Sequence, residues 1–295
     1  MKGIISIGGA LAVGIVVILS ALYVGNTSNE ASLQGSVVAA PPSTRTLIDA
    51  KDSDGDGVQD WQKALEAKAF DTIITPSSTI PVYGDDEYQS PTTLTGKFSE
   101  AFFQDYLTGK MQGVDFSDPS AFVGKAVDAI DQNTLSVRHT RLELALIPDS
   151  PEAIRDYGNQ VTEIILRYSI NNENEALILQ RALETNDSRE LDALTPIYQA
   201  YTNIIRDTLA MQVPVSLALM HLDLVNAYES ILTDIGAMQV SFTDPLYSLA
   251  RVRGYEDDTQ SLFFALQTIG SALTAQGVAY TNDEPGAAFY LFDTP

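Results

Sequence analysis

The chain has 295 residues, of which 39 are acidic and 17 are basic, so its formal net charge is -22. This acidity argues against nucleic acid as a partner, because phosphates are bound by an excess of lysine and arginine. The absence of cysteine excludes disulfides, thiolate metal sites and thiol nucleophiles, and two histidines are too few for a three-histidine metal site.

The first predicted element is an apolar N-terminal segment. Residues 3–24 contain no charged side chain, and about 20 apolar residues are enough to span a bilayer as a helix. We therefore predict a transmembrane anchor over residues 1–25, with residues 3–24 in the lipid bilayer. Lys2 precedes the segment and the next basic residue is Arg45, which favours a single-pass membrane protein with a cytoplasmic N-terminus and an extracytoplasmic C-terminal domain.

Two alternatives to an uncleaved anchor remain open. A cleaved signal peptide has a shorter apolar region that ends at a small-x-small site, and residues 23–26 offer no such site. Met1-Lys2-Gly3 followed by an apolar helix also resembles the short leader of a type IV pilin, which implies cleavage after Gly3. Type IV pilins usually carry Glu at the fifth mature position, and that position is Gly8 here.

A tether is predicted after the apolar segment. Residues 26–45 are small and polar, and they include Pro41 and Pro42, a composition typical of a flexible linker. Only one of the 39 acidic residues, Glu30, precedes residue 46. The acidity therefore belongs almost entirely to the part of the chain beyond the tether.

The sharpest motif is the D-x-D-x-D-G pattern that begins at Asp52. Alternate residues of such a loop direct their oxygens to one centre, Gly57 permits the sharp bend, and a backbone carbonyl at the seventh position adds a donor. Hard oxygen donors favour calcium over zinc or copper. Within a module of a loop and a short helix over residues 46–70, we predict one calcium ion with these ligands: Asp52, Asp54, Asp56, Val58 and Asp60.

The segment Asp52–Trp61 (DSDGDGVQDW) resembles a thrombospondin type 3 loop and, more distantly, dockerin and EF-hand loops. The resemblance implies a metal site and nothing about the rest of the chain. These families place a bidentate Glu or Asp at the twelfth position, which is Lys63 here, and Glu66 lies one turn later. In the alternative interpretation, Asp and Gly form a turn and Asp60 caps a helix. Trp61 is expected to anchor that helix by packing.

The remaining chain is predicted to be α-helical. Residues 71–93 are a linker rich in proline, serine and threonine, which excludes a continuous helix. Over residues 94–295 we expect an α-helical extracytoplasmic domain, a bundle of about eight helices, because apolar residues recur three and four positions apart. Three pairs of a capping residue and proline mark helix starts: Asp118-Pro119, Ser150-Pro151 and Asp244-Pro245.

Three segments of this domain carry distinct expectations. A packing stripe is expected between residues 190 and 211, and the helix from Pro214 to about Ala237 is apolar on most of its circumference, which indicates the central helix. The apolar residues 287–292 are expected to dock on the bundle. The stripe consists of Leu191, Leu194, Tyr198, Tyr201 and Ile205.

Four weaker candidates are interpreted as structural. His221 is expected to be a buried structural histidine, because Asp223 two positions away does not share its helix face. A basic cluster, made up of Arg138, His139 and Arg141, is expected to pair with surrounding carboxylates, with anion binding as the alternative. A second set, made up of Asn171, Glu173 and Glu175, has the spacing of metal ligands but fits helix capping better. The acidic residues 254–258 are expected to form a loop.

The sequence contains no recognisable nucleophile or phosphate-binding motif. We therefore expect no enzyme, but a membrane-anchored extracytoplasmic structural or interaction protein with a single calcium loop and a protein partner in the cell envelope. One alternative is an envelope hydrolase that uses paired carboxylates. The other is a pilin-like subunit of a surface filament.

Overall fold

The computed structural model describes residues 53–55, 58–74, 91–111, 136–169 and 173–291. These residues are mostly helical, which confirms the prediction of a mostly α-helical fold. The described part contains eight α-helices: α1 (Asp60–Ile74), α2 (Leu94–Met111), α3 (Pro151–Arg167), α4 (Glu175–Thr185), α5 (Leu194–Ala210), α6 (Ala218–Gln239), α7 (Pro245–Val252) and α8 (Tyr255–Ala275).

Helix α6 lies at the centre of the fold. It packs against α5, α7 and α8, and Leu224, Ile231 and Ile235 on it are fully buried. The apolar circumference of this segment therefore predicted a buried helix correctly. The helix begins at Ala218 rather than at Pro214, because residues 212–214 are extended and a short 3-10 helix follows them.

A two-stranded parallel sheet accounts for that extended stretch. Strand β1 (Ala145–Ile147) pairs with strand β2 (Gln212–Pro214), and Leu146 lies opposite Val213. Strands of three residues are too short to show an alternating pattern, so no local pattern predicts this sheet. Beside β1, Leu144 packs against α6, which joins the sheet to the central helix.

Two of the predicted helix starts are confirmed. Ser150 accepts a hydrogen bond at its side chain from the Ala153 backbone N, at 3.0 Å, at the start of α3. Asp244 precedes α7, as predicted, but its carboxylate serves another helix. It accepts hydrogen bonds from the backbone N of Leu94 at 2.7 Å and of Thr95 at 2.8 Å, in the first turn of α2. The third predicted start, at residues 118–119, lies outside the described residues.

Both ends of the described chain pack on the core. Trp61 and Leu65 of α1 are 5% and 0% exposed, and α1 contacts α2, α4 and α7. At the other end a 3-10 helix, Pro285–Leu291, packs on α3 and α8 with Phe289 buried. The expected roles of Trp61 as a packing residue and of the C-terminal apolar residues as a docking segment agree with these contacts.

The predicted localisation is corrected by the structure. Within the described ranges, no helix combines the length and the apolar character that crossing a membrane needs. This finding overturns the prediction of a single-pass membrane protein with a cytoplasmic N-terminus and an extracytoplasmic C-terminal domain. Residues 3–24, the tether over 26–45 and the pilin-like leader, on which the N-terminal predictions rest, lie outside the described residues.

Candidate cation site

The loop before α1 is closed by a side chain from the helix itself. The Asp60 carboxylate accepts hydrogen bonds from the Ser53 backbone N at 3.0 Å and from the Ser53 hydroxyl at 2.6 Å. Gly55 adopts a φ of +73°, in the left-handed region that glycine reaches without strain. The contact between Ser53 and Asp60 therefore brings the two ends of the predicted loop together. Asp52 and residues 56–57 lie outside the described residues.

Lys63 contacts the carboxylate at the third position of the loop. Its Nζ lies 2.5 Å from Asp54 Oδ1, and the two side chains are 32% and 63% exposed. Lys63, which departs from the calcium-loop pattern, thus places its ammonium group against the Asp54 oxygen that a divalent ion would also need. A metal ion at Asp54 has to compete with this ammonium.

The described ligands fit a cation site only in part. Asp54 and Asp60 supply hard carboxylate oxygens on the two sides of the turn, the donor type that calcium prefers. In the part of the chain that the structure describes, no three acidic, histidine or cysteine side chains are arranged to hold a metal ion. Asp52 and Asp56, the other predicted carboxylate ligands, fall outside that part.

The loop is coupled directly to the hydrophobic core. Trp61 follows Asp60 and is buried, and its indole Nε1 donates a hydrogen bond to the Gln59 side chain. Two turns further along α1, Lys68 places its Nζ 3.9 Å from the centre of the Phe242 ring. A change in the loop is therefore transmitted to a helix that packs on three others.

His221 is buried, as predicted for a structural histidine. It is 0% exposed, and its Nδ1 lies 3.1 Å from the Tyr157 hydroxyl. Burial lowers the pKa of His221 to about 4, because the charged imidazolium loses its hydration. Asp223 is exposed on the same helix. The pair that resembled a catalytic His–Asp arrangement is therefore split between core and surface.

The basic cluster is paired only at its centre. The His139 ring lies between two carboxylates, with Nδ1 2.8 Å from Glu143 Oε2 and Nε2 3.5 Å from Glu229 Oε2. Arg138 and Arg141 are exposed, and no carboxylate pairs with either of them among the described residues. The expected carboxylate partners are therefore present for His139. The expectation is wrong for the two arginines, which are exposed to solvent.

The glutamates with ligand-like spacing do not converge. Glu173 pairs with Arg181 at 2.5 Å, whereas Glu175 is fully buried and accepts a hydrogen bond from the Tyr255 hydroxyl at 2.9 Å. Asn174 caps α4 through a hydrogen bond from the Ala176 backbone N at 2.8 Å. The cap of α4 is thus Asn174, a residue outside the predicted set, and neither glutamate caps the helix. Asn171 lies outside the described residues.

The expected loop at residues 254–258 is wrong, because α8 begins at Tyr255. Glu256, Asp257 and Asp258 form its first turn. Carboxylates there interact favourably with the unpaired backbone N–H groups at the helix N-terminus. The acidic run therefore favours a helix start rather than a loop.

The sequence showed no sign of one buried charge cluster. Asp234 is 0% exposed, and its Oδ1 lies 2.7 Å from Arg251 Nη2, which also lies 3.5 Å from Asp258 Oδ2. Burial raises the pKa of Asp234 to about 8, although Arg251 opposes this rise. The three residues come from three helices and belong to no motif, so only the fold brings them together.

An open cleft of about 280 Å³ lies between α3 and α5. Its charged side chains neutralise one another, because Arg167 lies 2.9 Å from Glu163 and 3.6 Å from Asp207. Asp207 also accepts a hydrogen bond from the Tyr168 hydroxyl at 2.6 Å. The cleft does not include Asp234, the carboxylate with the raised pKa.

Comparison with known proteins finds no match to any family model, to any curated protein or to any solved structure.

Proposed function

We propose that the protein has a structural or interaction role rather than an enzymatic one, and that the loop before α1 binds one calcium ion. The observation that supports this proposal is the continuity of the loop with α1, whose Trp61 and Leu65 are buried in the core. Carboxylates crowded into a loop repel one another, so a cation that neutralises them stabilises the docking of α1.

The proposed ligands within the described residues are Asp54, Asp60 and the Val58 carbonyl. The set is completed by Asp52 and Asp56. Calcium supplies the positive charge that holds these oxygens together. The Lys63 ammonium already supplies part of that charge at Asp54. We therefore propose an affinity below that of a loop with a carboxylate at the twelfth position, since the ammonium has to be displaced.

Terbium luminescence tests the metal claim, with terbium alone as the probe. Trp61 is the only tryptophan of the chain and adjoins the loop, so its excitation is expected to sensitise bound terbium, and added calcium is expected to quench that emission. Asp54→Asn should weaken the signal because it removes a charged ligand, whereas the exposed Asp192→Asn should not. Absence of sensitised emission, together with a melting temperature that does not depend on calcium, would refute the site.

Substitutions at Lys63 test the competition separately. Lys63→Gln removes the ammonium from Asp54, and Lys63→Glu also adds a carboxylate at the twelfth position. We expect terbium to bind tighter to both variants than to the wild type, and tightest to Lys63→Glu. If Lys63→Glu binds no tighter than Lys63→Gln, the resemblance to calcium loops does not extend to the twelfth ligand.

A hydrolase that uses paired carboxylates is the second candidate. It is favoured by Asp234 and Asp258, which share Arg251, and by the raised pKa of Asp234. It ranks second because Asp234 is fully buried and the described cleft does not reach it. Hydrolysis of chromogenic glycosides by the wild type, with loss of that activity in Asp234→Asn, would reverse this order.

A further inference from the structure

Residues 136–144, which we name the strap, lie along the central helix α6 and lead into β1. The His139 backbone N donates a hydrogen bond to Asn226 Oδ1 at 2.8 Å, and Asn226 Nδ2 donates one to the His139 carbonyl at 3.4 Å. Nearer the start of α6, Leu144 packs against two apolar side chains of that helix. The strap is therefore attached to α6 at two places, of which one is polar and one is apolar.

The His139 side chain adds a charged contact at the polar attachment. Its Nδ1 lies 2.8 Å from Glu143 Oε2, on the strap itself, and its Nε2 lies 3.5 Å from Glu229 Oε2, on α6. The His139 and Glu229 side chains are 12% and 15% exposed, so this contact is largely removed from water. Among the described residues, no lysine or arginine pairs with Glu229. Within that part of the chain, His139 is the group that balances the charge of Glu229.

The number of protons on the imidazole decides whether the ring serves both carboxylates. An imidazolium has two N–H donors, whereas a neutral imidazole has one N–H donor and one acceptor nitrogen. His139 Nε2 is buried and makes no hydrogen bond within the described part, so its contact with Glu229 is purely electrostatic. A neutral ring keeps the hydrogen bond from Nδ1 to Glu143 and directs the Nε2 lone pair at Glu229. Loss of the proton therefore turns an attraction between the strap and α6 into a repulsion.

Other charged groups surround the strap and act on it less directly. Those that are exposed interact weakly, because water and salt screen them. Arg251 of α7 donates a hydrogen bond from Nη2 to Ser136 Oγ at 3.2 Å and disfavours an imidazolium nearby, but it also contacts two acidic side chains. The exposed groups are Arg138, Arg141 and Asp223, and the acidic contacts of Arg251 are Asp234 and Asp258. Glu229 is thus the largely buried charge that faces His139 from another element.

We propose that His139 is a pH-sensitive latch, whose protonated ring fixes the strap on α6 and whose deprotonation loosens the strap at its polar attachment. The ion pair with Glu229 forms only in the attached strap, so protonation favours attachment. Histidine changes its charge between about pH 5 and 8, so attachment is strongest at the acidic end of this range and weakens as the pH rises. The apolar contact of Leu144 does not titrate, which confines the loosening to the strap. The proposal goes beyond the calcium loop and does not depend on it.

Hydrogen exchange of the His139 amide, measured by NMR on the full chain, tests the latch, because this amide donates to Asn226 at the polar attachment. The readout is the protection factor, which corrects for the intrinsic effect of pH on exchange. We expect it to fall about threefold from pH 5.5 to pH 8, the effect of a partly exposed ion pair. The fall should follow the loss of the ring proton, which the NMR signal of the His139 Cε1 hydrogen reports.

Four variants identify the group responsible. Glu229→Gln keeps the shape of the side chain without its charge, and His139→Gln removes the titrating ring, so neither variant should show the fall at position 139. Asp223→Asn, at an exposed carboxylate on α6, is the matched control and should keep the fall. Asp234→Asn should keep it as well, which separates the latch from the buried cluster around Arg251.

The latch is overturned if the wild type shows no fall in protection, or if the fall persists in Glu229→Gln. Loss of the fall in Asp234→Asn or in Asp223→Asn would also overturn it, because another carboxylate would then control the strap. Circular dichroism verifies that each variant is folded, and Glu229→Gln alone decides the question if His139→Gln does not fold.

Discussion

At the scale of single residues, Asp244 illustrates how one side chain joins two helices. It precedes α7 in sequence, yet both of its oxygens accept hydrogen bonds from the start of α2, at the backbone N of Leu94 and of Thr95. The Thr95 hydroxyl in turn accepts a hydrogen bond from the Leu246 backbone N at 2.9 Å. Each helix therefore satisfies backbone groups at the other's first turn.

Asp244→Ala is expected to lower the free energy of unfolding by about 1–2 kcal/mol, because two backbone donors at a helix start lose their acceptor. Asp244→Asn keeps one acceptor oxygen and should lose less. Urea denaturation measures both losses, and Asp192→Ala, at an exposed aspartate, provides the reference for simple removal of a charge. Equal stability of Asp244→Ala and Asp192→Ala would contradict this role.

The role of Asp244 also marks the limit of what the sequence predicts at this scale. The dipeptide Asp244-Pro245 is a local signal, and it predicted the start of α7 correctly. The partners of Asp244, Thr95 and Leu94, lie 149 and 150 residues away in the sequence. No local sequence pattern spans that separation. The same holds for Asp234 and Arg251, whereas Asp54 and Asp60 lie in one short motif and were predicted as ligands from its spacing alone.

At the scale of elements, the C-terminal 3-10 helix is held on α3 by a tyrosine between two glycines. A Cβ atom on Gly158 would collide with the Tyr280 hydroxyl, and one on Gly286 would collide with its ring. The hydroxyl donates a hydrogen bond to the Arg155 carbonyl at 3.1 Å, and Arg155 pairs with Glu284. The two glycines are thus needed for close approach.

Gly158→Ala is expected to destabilise the protein. Alanine favours a helix over glycine by up to about 1 kcal/mol, but overpacking of a filled interior costs about 1–3 kcal/mol. Thermal unfolding is the measurement, and Gly254→Ala is the control, because its nearest neighbour would be 3.5 Å from the added Cβ. A melting temperature of Gly158→Ala at or above that of the control would show that Tyr280 moves aside freely.

The elements themselves were predictable where burial imposes a helical period. The stripe over residues 191–205 is largely buried on α5 and the turn before it, because its spacing of three and four places every member on one face. The sheet between β1 and β2 was not predictable, since its two strands lie far apart in sequence and contain three residues each. Because Pro214 belongs to β2, α6 begins at Ala218 and not at the predicted Pro214.

At the scale of the whole molecule, two buried ionisable groups set opposite trends in stability. The pKa of His221 falls from 6.5 to about 4, so the unfolded chain binds one more proton than the folded chain between these values. The pKa of Asp234 rises from 3.8 to about 8, so the folded chain binds the extra proton there. Stability rises with pH for the first group and falls with pH for the second.

The two trends nearly cancel between pH 5 and 6.5, because each state then holds one proton on this pair of residues. Above pH 6.5 His221 is neutral in both the folded and the unfolded chain. Asp234 is then still protonated in the folded chain and ionised in the unfolded chain. This pair is therefore expected to leave the wild type almost equally stable at pH 5 and pH 6.5 and to lower its stability by about 1–2 kcal/mol between pH 6.5 and pH 8.

Asp234→Asn should invert this profile. The amide still accepts a hydrogen bond from Arg251 but does not titrate, so of the two groups only His221 remains. Stability should then rise by about 1–2 kcal/mol from pH 5 to pH 6.5 and stay nearly level above pH 6.5. Urea denaturation at the three pH values measures this, with Asp223→Asn, an exposed carboxylate on the same helix, as the matched control. A wild-type profile that does not fall above pH 6.5 would mean that Arg251 keeps Asp234 ionised in the folded protein, and the variant would then differ from the wild type chiefly below pH 5.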